Sequence, residues 1–350
     1  NQTTTIMKKC ILIFMGVFAL SFNTKAQDGF ENILLADVAD SQKLLQAYFA
    51  PGMEGFINSM NGGWAHTAKV HKKFGFDLTI GANLSSIPSE REVFNIAALG
   101  LTSVSSSSPT ASTFGGSDKT TSMTVNTTVN GQAVTANFQS PGGIKEDLPG
   151  GVPAPVVQLS VGLPWKMDAM IRMVPKINFG KDDGSVNMLG LGLKKEITSW
   201  FGPMDKTPLH VSVLAAYTTM DVNYGIADQN SAEFQVQNAK TSFNLKAFTV
   251  QAIASLNFPI INLYGGFGYN NGSASYNMEG TFTGTYQTGF PAPNDTVSQQ
   301  LVIPSTLDFD SSGLTSTVGA RLSLGFFKIF GSYTLQEYNT INAGIAISIR

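Results

Sequence analysis

The chain has 350 residues, with 22 Lys and Arg against 24 Asp and Glu, a formal net charge of −2, and only 13% charged residues. That slight acidity excludes the basic footprint of a nucleic-acid binder, and the charged fraction is about half of the roughly 25% usual in soluble domains. A single cysteine excludes a disulfide framework.

The first segment reads as a secretory leader. Met7 is followed by Lys8 and Lys9, then by an apolar run over 11–22, then by Thr24-Lys25-Ala26. This is a charged start, a short apolar stretch and a small-x-small cleavage site, placed after Ala26. Residues 1–6 read as an upstream extension. The apolar run is too short to span a bilayer as a helix. Cys10 precedes it and leaves with the leader, so no lipid-acceptor, nucleophilic or metal-ligating cysteine is expected afterwards. Loss of Lys8, Lys9 and Lys25 takes the formal charge to −5.

Residues 27–61 differ in kind. Ile33, Leu34, Val38, Leu44, Leu45, Tyr48 and Phe49 recur near helical spacing, with Asp40 or Ser41 as a cap. Pro51-Gly52 predicts a break, and 53–60 a further short helix. The segment is either a plug inside the fold built by the later residues or a periplasmic tail packed on its rim.

From Trp64 onward the period changes from helical to two. Phe74, Phe76, Leu78, Ile80, Ala82 and Leu84 share one face, opposite Gly75, Asp77, Thr79, Gly81 and Asn83. Leu189, Leu191 and Leu193 repeat the pattern, as do Leu209, Val211, Val213, Ala215 and Tyr217. It continues through Ile341, Ala343, Ile345, Ile347 and Ile349. Successive strand side chains point to opposite faces, so each strand has one greasy side and one wet side. The fold class expected is all-β, a transmembrane antiparallel β-barrel over 62–350 with a short N-terminal helical segment.

Twelve strands are expected, near 64–70, 74–84, 91–102, 155–163, 169–179, 186–194, 208–218, 241–258, 260–278, 313–326, 329–337 and 340–350. Connections then alternate short and long, as in bacterial barrels, with both chain ends on the periplasmic side. Asn130-Gly131 between two alternating arms predicts a hairpin with a type I′ turn. It is expected outside the membrane; were it to enter, the count would be fourteen. Trp64, Trp165 and Trp200 all fall at the inner interface in this scheme, where indoles prefer to sit.

Three stretches carry a family likeness: Asn61-Gly62-Gly63-Trp64 running into 71–78, Leu189-Gly190-Leu191-Gly192-Leu193-Lys194, and the barrel-closing C-terminus. With them the chain resembles an uncharacterised family of outer-membrane β-barrel proteins from Bacteroidota. In layout it is more distantly similar to the long-chain fatty acid outer-membrane transporters, which implies a plug inside a barrel for hydrophobic cargo. No plug motif of that group maps onto particular residues here, and Arg350 departs from the terminal aromatic common in proteobacterial barrels.

Candidate chemistry is sparse. His210 and Ser212 share a strand face, as in outer-membrane phospholipases, but on the lumen side; a polar lining pair is the expectation. His66, His71 and Asp77 offer too few ligands for a metal centre. The run 181–184 reads as a turn, not a calcium loop. Asp77, Arg172, Lys176, Lys194, His210 and Arg321 are the candidate lumen residues, a net basic lining that would favour anions. The plainer reading has those cations neutralised by loop carboxylates such as Asp182 or Asp308.

No enzyme, cofactor or metal is expected. The function expected is a transport-type barrel for small hydrophobic or anionic solutes in a bacterial outer membrane. Its partners would be outer-membrane lipid and the barrel-assembly machinery. The alternative is a non-transport surface or structural barrel acting through its extracellular loops.

Overall fold

The computed structural model describes residues 30–148, 150–179, 184–202, 207–231, 233–304 and 306–349. The expected leader and the turn at 181–183 lie outside these residues.

Ten antiparallel strands close into a ring. They are β1 (Phe76–Ser85), β2 (Val152–Leu163), β3 (Met167–Phe179), β4 (Gly184–Glu196) and β5 (Leu209–Ile226), then β6 (Phe234–Asn257), β7 (Ile261–Gln287), β8 (Leu307–Leu324), β9 (Phe327–Leu335) and β10 (Thr340–Ile349). Each pairs with its sequence neighbour, and β10 closes onto β1 from Phe76–Ile349 to Ser85–Thr340. Closure matters physically because an open sheet edge would leave unpaired N–H and C=O groups in hydrocarbon.

Two of the twelve expected strands do not join the ring. Residues 64–70 form no strand and lie inside the lumen, while Val93–Asn95 pairs only with Thr110–Ser112. Dropping two preserves the even count, but it reverses β1 relative to the expectation. The connections at 164–166, 197–208, 258–260 and 325–326 share one end, the short-turn end. The long segment 86–151 and the connection 288–306 lie at the opposite, long-loop end. The hairpin Ser122–Val129 and Gln132–Gln139 stands outside the ring. Its turn residues Asn130 and Gly131 have φ of 52° and 80°, as a type I′ turn requires.

The expected phase is visible in the exposure. Leu78, Ile80 and Ala82 face out while Asp77, Thr79 and Asn83 are buried within; Leu191 is 61% exposed and Leu314 82%. These outward residues make an apolar belt around the ring. The belt ends well before the strands do. A spanning strand needs about 9–11 residues, yet β6 has 24 and β7 has 27. Above the belt the pattern inverts. In β7, Leu263, Phe267 and Tyr269 face outward, but further along Ala274, Tyr276, Met278 and Phe282 face inward and are buried. The outer medium has changed from hydrocarbon to water, so the apolar side of the same strand changes face.

The lumen is occupied. Helix α1 (Val38–Asn61) fills its long-loop half, where Leu44, Leu45, Phe49, Met53, Ile57 and Met60 join one core with the inward residues of the tall strands. The expected break at Pro51 does not occur. Packing overrides the roughly 3 kcal/mol that an interior proline costs, and the Gly52 that comes next lets the Phe114 ring lie where a Cβ would sit, 2.5 Å away. Met123, Val125, Val134 and Phe138 of the hairpin belong to the same core. The 3-10 turn Phe30–Leu35 lies at the long-loop end, held by Tyr286 Oη donating to Leu35 O at 2.9 Å. The chain therefore enters the lumen from the long-loop end, threads it, and reaches β1 at the short-turn end.

Candidate functional site

Below α1 the lumen is lined by polar side chains, and residues 62–75 run through them as an extended wedge. Trp64 opens the wedge. It is buried at 2% exposure, which corrects its placement at the interface. Its ring lies against Gly190 and Gly192, where added Cβ atoms would come within about 3 Å of the indole. The Arg172 guanidinium sits over the ring, 4.1 Å from its centroid. Arg172 donates to Met60 O at 3.2 Å, to Gly62 O at 3.0 Å and to Gln158 Oε1 at 3.0 Å. It is a buried cation held by carbonyls, an amide and a π face, which together substitute for its hydration.

Further down, the wedge is fastened by charge. His71 lies between two wall carboxylates, its Nε2 at 3.3 Å from Asp77 Oδ2 and its Nδ1 at 3.2 Å from Asp168 Oδ2. Both ring nitrogens face acceptors, an arrangement that suits the doubly protonated imidazolium. His66 differs. Arg321 can only donate, and its Nη1 is 3.0 Å from His66 Nδ1, so that nitrogen accepts and the ring proton sits on Nε2, facing Asp77 at 3.4 Å. The His66 ring also stacks on Phe330 at 4.8 Å. Lys194 pairs with Asp168 at 3.0 Å and donates to Thr67 O.

The backbone of the wedge is held as well. Val70 N–H donates to Glu196, His71 N–H to Asp168 and Ala68 N–H to Ser255 Oγ, while Ser212 Oγ donates to Ala68 O. His210 pairs with Glu196 at 2.9 Å. The Ser212 hydroxyl is thus committed to the wedge and His210 to a carboxylate, so the two do not form a nucleophile and base.

Of the candidate lumen residues, Asp77, Arg172, Lys194, His210 and Arg321 line this half of the barrel. Lys176 does not. A bulge between Val174 and Ile177 shifts the register, because Pro175 has no N–H for the ladder, and Lys176 is exposed. The cations are met by Asp77, Asp168, carbonyls and amides within the lumen, and Asp308 is exposed at the long-loop end. Sequence reading missed Asp168 and Glu196 by assigning them to connections. Asp168 shares parity with Arg172, and Glu196 with Lys194, which is the signal that identifies them. Trp165 and Trp200 are 81% and 71% exposed at the short-turn end. Among the described residues no cluster of His, Cys, Asp and Glu has the arrangement of a metal site. A polar cavity of about 20 Å3 beside Gly62 and Gly63 has room for roughly one water.

Among solved structures, the chain is similar to Ail, the attachment invasion locus protein of Yersinia pestis, solved with the heparin analogue sucrose octasulfate. Identity is 9%, the TM-score 0.27, and the match covers 79% of this chain and 100% of that one. It is also similar to the translocator domain of the autotransporter NalP from Neisseria meningitidis, at 10% identity and a TM-score of 0.31, covering 80% of this chain and 90% of that one. No curated protein matches it. The model of the family of unknown function DUF6588 matches residues 7–349, and the chain belongs to that family.

Proposed function

We propose that the protein is a bacterial outer-membrane barrel with a closed lumen, which acts at the cell surface through its long-loop end. The observation that carries this reading is the occupancy of the lumen at every level: α1 completes a hydrophobic core in one half, and the wedge is bonded to the wall in the other. A water-filled pore needs a polar wall with free cross-section. The wall above the belt supports the same reading, since β6 and β7 continue far beyond hydrocarbon to carry the hairpin and loops. The long-loop end is then extracellular and the short-turn end periplasmic, with residues 7–26 as the leader that brings the chain there.

The test is current through planar bilayers containing residues 27–350, with folding verified by circular dichroism. The expected result is none above the bare-membrane level. Steady single-channel steps from the intact protein would overturn the closed reading.

A second reading has its own support. The wedge is fastened by ions and hydrogen bonds more than by apolar packing, so it is the part of the plug a ligand could displace. In that case the barrel would pass a small hydrophobic or anionic solute after α1 and the wedge move.

A further inference from the structure

At the short-turn end, backbone strain, aromatic exposure and positive charge coincide. Five non-glycine residues among those described have positive φ. Asn130 and Asn238 are ordinary for their type, but Phe74 (65°), Trp165 (62°) and Lys166 (56°) are not. Left-handed conformations are costly for bulky side chains and persist where the surroundings hold them. These three lie on one stretch of rim. Phe74 N–H donates to Gly162 O at 2.8 Å and Gly162 N–H to Gly75 O at 2.7 Å, which places Phe74 beside the β2–β3 turn that carries Trp165 and Lys166. Phe74 is 72% exposed and Trp165 81%.

Lysines surround these rings. Lys72 and Lys73 precede Phe74 and are exposed, with Lys73 Nζ 5.1 Å from the Phe74 centroid. Lys195, one strand along, donates to Trp165 O. The nearest carboxylates, Asp168 and Glu196, are buried and hydrogen-bonded or ion-paired to His71, Lys194 and His210, with Glu196 also attracting Lys166 through space. No described residue at this end is an exposed Asp or Glu. The patch therefore joins aromatic rings at the edge of the apolar belt to four ammonium groups just beyond it.

We propose that Lys72, Lys73, Lys166 and Lys195, with Phe74 and Trp165, bind the phosphate headgroup of an anionic phospholipid in the leaflet facing the short-turn end. The inference rests on the membrane-barrel reading above. Rings at this depth insert beside the acyl boundary, while lysines reach the phosphates and long stems cover the apolar rim. Cations beside a membrane surface favour anionic lipid additively, residue by residue. The patch is confined to one stretch of the rim, so the preference is local to it.

The experiment uses residues 27–350 with Trp200→Phe, which leaves Trp165 as the exposed indole and buried Trp64 as a constant background. The protein is reconstituted in phosphatidylcholine vesicles, and Trp165 fluorescence is titrated with brominated phosphatidylglycerol or brominated phosphatidylcholine. Brominated phosphatidylglycerol should be favoured about ten-fold at Trp165. Replacing the four lysines with glutamine should abolish that preference while quenching by brominated phosphatidylcholine persists. Changing Lys240 and Lys246 at the other end should leave the preference intact, and millimolar inorganic phosphate should not compete.

Equal quenching by the two lipids in the parent protein would overturn the proposal while leaving the barrel in its membrane. Loss of the preference to free phosphate would overturn the headgroup assignment in favour of a simple anion site. Absence of quenching by either lipid would overturn the membrane reading itself.

Discussion

Asp40 shows how a single side chain joins the plug to the loop layer. Its Oδ2 accepts hydrogen bonds from Thr102 N–H at 2.8 Å, Ser103 N–H at 2.7 Å and Ser103 Oγ at 2.8 Å. Burial alone would raise its pKa, but the donors of Ser103 and Thr102, aided by Lys43, outweigh burial and hold the carboxyl below its ordinary value. A depressed folded-state pKa means that the tie is fully present above the ordinary carboxylate range and is lost as pH falls through the lower folded value. Amide exchange of α1 should accelerate across that acid window in the parent and stay flat in Asp40→Asn. At neutral pH the variant should lose about 1 kcal/mol of local stability. Identical acid profiles for the two proteins would show that Asp40 does not carry the coupling. Arg172 sits at the opposite extreme of burial. Arg172→Met keeps the volume but removes the side-chain donor to Met60 O and Gln158 Oε1, and leaves Gly62 O with Asn83 Nδ2 alone among side-chain donors. The expected loss, read from urea unfolding in detergent, is on the order of 3 kcal/mol. Arg172→Lys should recover only part, since an ammonium cannot reproduce the planar fork over Trp64.

Element-scale expectations turn on which medium each strand face meets. Leu191→Arg places a cation in the lipid belt and should destabilise the barrel in bilayers by about 2–4 kcal/mol if it lies near midplane. Gly190→Ala points the other way and meets no lipid, but its Cβ would fall 3.0 Å from the Trp64 ring and 2.9 Å from Thr218 Oγ1. Its cost, about 1–3 kcal/mol, should be the same in thick and thin bilayers, whereas that of Leu191→Arg should change with thickness. A shared dependence on thickness would sink the phase assignment. That phase was legible in the sequence because hydrocarbon outside and polar groups inside impose a clean period of two. The upper limits of β5 to β8 were not legible, because above the belt the apolar side of the strand swaps faces and the period loses continuity. Residues 64–70 read as a strand for a related reason: an extended segment pressed between lumen walls also places alternate side chains in different surroundings. Asp77 and Asp168 could each be found by parity on their own strands, whereas His71, in the wedge, has no strand parity. That the plug brings them together required the direction of threading, and local pattern is silent on that.

On the scale of the whole molecule, the question is whether α1 and the wedge are a fixed core or a movable gate. The two halves of the lumen answer differently on energetic grounds. Withdrawing α1 would expose Leu44, Leu45, Phe49, Ile57 and Met60, together with the inward faces of four tall strands, to water. Each fully buried large apolar side chain contributes roughly 1.5–3 kcal/mol, so five of them already rival the stability of an ordinary domain. Moving the wedge alone would break ion pairs that water could partly replace. A covalent lock separates the two cases. Ser59 on α1 and Ser85 on β1 are buried with their hydroxyls 2.8 Å apart, close enough for a paired Ser59→Cys and Ser85→Cys to be tested as a disulfide. Made in residues 27–350, the pair meets no competing thiol, because the chain's single cysteine is Cys10. If α1 is part of the core, oxidised and reduced forms should give the same negligible conductance and the same solute flux in vesicle-swelling assays, and the lock should only raise resistance to denaturant. If α1 is a gate, reduction should release flux that oxidation suppresses, with the parent protein matching the reduced form. The hydrophobic composition of the long-loop half favours the first outcome, because a gate that opens through water is seldom built from the same residues as a core.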